Sequence, residues 1–217
     1  MNYIYQITLK SVLVLENGMK ENVKGENILS TTLVYPREGE KSMETLKKLP
    51  LKKGKEFLFK KINFSDKLLF KESIQGDSAI KVSLTAIEKP EKIDNIIKLA
   101  LKSGVLAGVG LITGGKGITL LMAASKSIVG SVFDLAKPKD KVTVIGSIDF
   151  PINNSLREGE LTLNLTVPKK TVLKERTIRN GEEILISKTL KKGYGIAKVV
   201  LGIKKIPRDN NPNPAIA

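Results

Sequence analysis

The chain has 217 residues, 41% of them hydrophobic, with a formal net charge of +15 and neither cysteine nor histidine. Those two absences exclude cysteine nucleophiles, Ser-His-Asp triads, Cys/His zinc sites, CxxC redox chemistry and histidine pH switches. The charge favours anionic partners, yet 32 of the 37 basic residues are Lys and only five are Arg, the better residue for bidentate phosphate and base contacts, so specific nucleic-acid binding is disfavoured and codon bias with a solvated surface explains most of the surplus.

From the N-terminus, Tyr3, Tyr5, Ile7 and Leu9 alternate with Gln6, Thr8 and Lys10, the period-2 pattern of a half-buried strand. No basic segment precedes this alternation, which argues against a classical signal peptide and for a cytoplasmic or membrane-peripheral protein; non-classical export leaves no such mark. Further strands are expected at 27–35, 56–62 and 67–74. Ile80, Val82, Leu84 and Ala86 then alternate cleanly with Lys81, Ser83 and Thr85.

After Pro90 the character changes. Six glycines fall between Gly104 and Gly117, flanked by long aliphatic runs with few charges. Pro90 and Glu91 suit a first helical turn, and Ile93, Ile96, Ile97 and Ala100 recur at helical spacing. The expectation is a helical hairpin over about 91–137, its second helix running from Ile118 to Ala136 and stopped by Pro138. Leu106, Ile112, Leu120 and Leu121 are its candidate membrane- or partner-binding residues. Within it, Gly110-Leu-Ile-Thr-Gly-Gly-Lys116-Gly117 nearly spells a phosphate-binding loop, but Gly117 stands where a Ser or Thr hydroxyl would hold Mg²⁺. A glycine-rich turn with one solvated lysine is the simpler reading.

Strand patterning returns at Val142–Phe150 and is cleanest at Leu161, Leu163, Leu165 and Val167 against Thr162, Asn164 and Thr166. Residues 183–190 and 195–205 complete about nine strands, with Asn17-Gly18, Glu158-Gly159 and Asn180-Gly181 as turns. One wet and one dry face per strand is the mark of antiparallel sheets sharing a core, so a β-sandwich is expected over 1–206, with 207–217 as a loose tail.

Lysines cluster at expected loops: Lys52, Lys53 and Lys55, then Lys169-Lys170 and Lys191-Lys192. Converging at one end they would bind anions; scattered, which is the default expectation, they would only solubilise. Carboxylates show no D-x-D pair and no calcium-loop spacing, and neither a metal nor a cofactor is expected.

Phe57-Leu58-Phe59 followed by Ala79-Ile80-Lys81-Val82-Ser83-Leu84-Thr85-Ala86 resembles the middle strands of a C2-type β-sandwich. Ile87-Glu88-Lys89-Pro90 stands where that family places calcium-binding aspartates, so the resemblance implies a calcium-independent sandwich that docks through loops at one end. The function expected is non-enzymatic: docking on a protein assembly or an anionic membrane surface through the hairpin and the lysine loops. The alternatives are a membrane-inserting or pore-forming effector using the same hairpin and, behind it, a nucleotide-binding protein with a degenerate phosphate loop.

Overall fold

The computed structural model describes residues 3–17, 24–35, 43–74, 78–87, 112–114, 117–121, 142–152 and 156–207. These form thirteen strands and one short helix: β1 Tyr3–Val14, β2 Lys24–Val34, β3 Met43–Lys52, β4 Glu56–Leu58, α1 Phe64–Lys67, β5 Leu68–Ser73, β6 Ser78–Ile87, β7 Ile112–Gly114, β8 Gly117–Leu121, β9 Val142–Ile152, β10 Gly159–Thr166, β11 Thr171–Arg179, β12 Glu182–Leu190 and β13 Gly195–Pro207. Among the described residues every pairing between these strands is antiparallel, and the molecule is mainly β as expected.

Eleven strands belong to one sheet, in the order β4-β1-β13-β10-β9-β6-β2-β3-β8-β7 with β5 also on β1. The sheet is pinched where β9 meets β10, because among the described residues the only rung there is Ser147 opposite Thr166. Two antiparallel halves result: β10, β13 and β1 with β4 and β5, and β9, β6, β2 and β3 with β8 and β7. The far ends of the halves approach again, where Val14 bridges Lys53 and the amide of Gly54 donates to the Val14 carbonyl at 2.8 Å. The curled sheet therefore nearly closes on itself, which blunts its open edges.

The core lies between the halves. Ile7, Leu9, Leu163, Leu165, Val199 and Leu201 come from one side; Leu29, Leu33, Ile80, Val82, Leu84 and Ile145 come from the other. The alternation read at 3–9, 80–86 and 161–167 thus marks the core-facing positions. At the pinch, Gly146 has no side chain because a Cβ there would stand 2.3 Å from Cγ2 of Ile196 and 3.2 Å from Cβ of Leu165.

The expected helical hairpin is corrected where it is described. Ile112–Gly114 and Gly117–Leu121 are strands, paired as a tight β-hairpin that adds to the free edge of β3, Leu46 opposite Ile118 and Met43 opposite Leu121. Ile112, Leu120 and Leu121 are therefore strand residues, and Leu106 with the rest of 91–137 lies outside the described residues. A short apolar run has no period that separates helix from strand, and an unpaired sheet edge offers backbone partners that decide the matter. The strand–loop–helix setting of a phosphate-binding loop is accordingly not what Gly114 and Gly117 form. Among the described residues no helix is long and apolar enough to cross a membrane.

β11 and β12 stand apart as a two-stranded ribbon of nine rungs, from Thr171 opposite Leu190 to Arg179 opposite Glu182. Asn180 and Gly181 turn it with φ of 53° and 81°. Positive φ at both central residues is the hairpin geometry that matches strand twist, and Asn-Gly is the pair that adopts it most readily.

Candidate anion-binding surface

The three predicted lysine loops do converge. The Lys52–Lys55 turn closes through the Lys55 amide on the Lys52 carbonyl at 3.1 Å, directly under the end of β1. The next residue of β1's exit, Leu15, donates to the carbonyl of Ile196 at the start of β13 at 2.8 Å. Tyr194, two residues earlier, accepts from the Val167 amide at 2.9 Å, and the Gly193 amide returns to the Val167 carbonyl at 2.9 Å. This zips the loop carrying Lys169 and Lys170 to the loop carrying Lys191 and Lys192, on either side of the ribbon's first rung. The Thr171 hydroxyl fixes the approach by donating to the Lys169 carbonyl at 2.8 Å.

Seven lysines from three distant stretches thus share one end of the molecule. Lys55, Lys169, Lys170, Lys191 and Lys192 are exposed, while Lys52 and Lys53 are half-buried. Glu16 is the local counter-charge. Its carboxylate, 9% exposed, takes Lys53 at 3.2 Å on one oxygen and Lys188 of β12 on the other. The carboxylate clamps the ribbon to the end of β3, with its charge used internally. Two exposed apolar side chains, Leu15 and Tyr194, lie among the lysines.

A second cationic region was not anticipated. It is a trough of about 830 Å³ on the outer face of β1, β13 and β10, walled by the segment from Glu56 to Lys67. Its lysines are Lys10, Lys60, Lys67, Lys198 and Lys204; its carboxylates are Glu56 and Glu160. In the sequence Lys60 and Lys204 stand out only as members of the pairs Lys60-Lys61 and Lys204-Lys205, and Lys10 only as an outward residue of an alternating strand.

Among the described residues no group of three His, Cys, Asp or Glu could hold a metal ion. No family model, curated protein or solved structure matches this chain.

Proposed function

We propose that the protein is a non-enzymatic interaction module that docks on an anionic membrane surface through the lysine end. The observation that carries this reading is the hydrogen-bonded clasp of the 167–171 and 191–195 loops beside the Lys52–Lys55 turn. It gathers charge that the sequence spreads over more than a hundred residues. Docking through loops at one end is also the habit that a C2-like sandwich would bring. Each lysine near an anionic bilayer contributes about 1 kcal/mol, so a group of this size supports reversible, salt-sensitive attachment. Leu15 and Tyr194 supply a small apolar contact at the headgroup level.

The test is co-sedimentation with vesicles, one set containing anionic phosphatidylserine and one set zwitterionic only. The wild type should bind the anionic set and lose it as salt rises toward about 0.5 M. Reversing Lys169, Lys170, Lys191 and Lys192 to Glu together should weaken binding by roughly a hundredfold or more. Equal binding to both vesicle types, or no loss in the quadruple variant, sinks the reading. Release of trapped dye by the wild type would favour the pore-forming alternative.

A further inference from the structure

We infer that the trough beside β1 is a second, separate site that binds a small polyphosphorylated ligand, whether free in solution or carried as a headgroup. The local backbone is built around it. Lys10 is the extra residue of a β-bulge: Leu9 pairs with Leu201 and Ser11 with Val200, so Lys10 has no partner in β13. Bulges re-aim side chains and gather near functional sites. This one places Lys10 and Ser11 in succession on the trough's lining, and the Lys10 carbonyl accepts the Phe59 amide at 3.0 Å, which anchors the wall.

The floor is cut to fit. Gly202 lies under Lys10, where a Cβ would come within 2.4 Å of Lys10 Cε and 3.0 Å of Thr8 Oγ1. Thr8 donates its hydroxyl to the Gly202 carbonyl at 3.3 Å, holding β1 and β13 together below the hollow. Lys198 and Lys204 rise from β13 on either side of Gly202, and Lys60 and Lys67 face them from the wall. Five lysines less two glutamates leave a surplus of three positive charges around one hollow.

The chemistry of the lining selects the ligand. Lysines are flexible point charges that take phosphates from many directions, whereas the rigid arginine fork is absent from this trough. Leu58 and Phe64, each 48% exposed on the wall, give a ring or hydrocarbon body a face to lie against. The volume falls within the roughly 300–1,000 Å³ of small-molecule sites. An extended acidic peptide fits less well, because the floor strand β13 is paired on both sides and offers no backbone edge to augment.

Isothermal titration with inorganic tripolyphosphate at about 50 mM salt tests the site. One equivalent should bind. Reversal of Lys10 and Lys198 to Glu should weaken binding roughly tenfold or more. Gly202→Val keeps every charge but displaces the Lys10 stem, and should weaken binding as much. Should Gly202→Val fail to fold by circular dichroism, Phe64→Glu at the exposed wall takes its place with the same expectation. The quadruple Lys169/170/191/192→Glu variant should bind tripolyphosphate as the wild type does, which separates this site from the lysine end. Offered to that variant, vesicles carrying a polyphosphorylated inositol headgroup report the source: retention assigns a headgroup, and no retention with tripolyphosphate still bound assigns a soluble ligand. No binding of tripolyphosphate, undiminished binding in the reshaped trough, or its loss in the quadruple variant overturns the inference.

Discussion

Single residues in this protein show where burial and chemistry conflict. Lys47 is only 3% exposed, on the core-facing side of β3, with its ammonium donating to the Ser65 carbonyl at 3.4 Å. Burial lowers its pKa from 10.5, and Asp66 beside it restores part of the charged form. The folded state therefore releases this proton at lower pH than the unfolded chain. Below the folded value Lys47 costs stability, and that cost is relieved as pH rises toward 10.5. Lys47→Met should accordingly be stabler than the wild type at neutral pH, and chemical denaturation across a pH series should show the difference shrinking as 10.5 is approached. Gly146 poses the opposite problem, one of space. Gly146→Ala should cost about 1–3 kcal/mol in thermal or denaturant unfolding, because the methyl meets the packed, β-branched Ile196 rather than a movable chain end.

At the level of elements, the strands that alternate were legible and those that do not were hidden. β3 is the clearest case. Its core face carries Met43, Thr45, Lys47, Leu49 and Leu51, yet Glu44 and Leu46 on the other face are buried as well. Glu44 is accommodated there by accepting the Ser30 hydroxyl, and Thr45 by donating to the Leu69 carbonyl at 2.9 Å. With both faces covered and lysines among them, Met43–Lys52 shows no period of two. β11 was hidden for another reason: the consecutive charges Lys174-Glu175-Arg176 break any alternation in its middle. Its turn was readable all the same, since Asn-Gly names the geometry it adopts. A ribbon with so few lateral partners depends on that turn. Gly181→Val, forced to φ near +81°, should speed hydrogen exchange of the 182–190 amides markedly while leaving the melting of the main sheet nearly unchanged.

For the whole molecule, the consequence of the fold is where it puts charge. The two halves meet at one rung beside Gly146 and again at the Val14–Lys53 bridge, and the second junction carries the lysine end with it. The amino-acid order by itself determined the mainly antiparallel architecture, the core faces of β1, β6 and β10, the Asn180-Gly181 turn and the absence of cysteine and histidine chemistry. These are local properties: alternation, turn residues and composition are written in consecutive positions. Only the tertiary structure decided that Ile112–Leu121 pairs with β3 as strands, that lysines numbered from 52 to 192 stand together, and that a bulge at Lys10 opens a trough above Gly202. An apolar run takes its form from whichever edge is free to pair with it. Surface charge is indifferent to sequence distance, and a hollow exists only where strands far apart in the chain come into register.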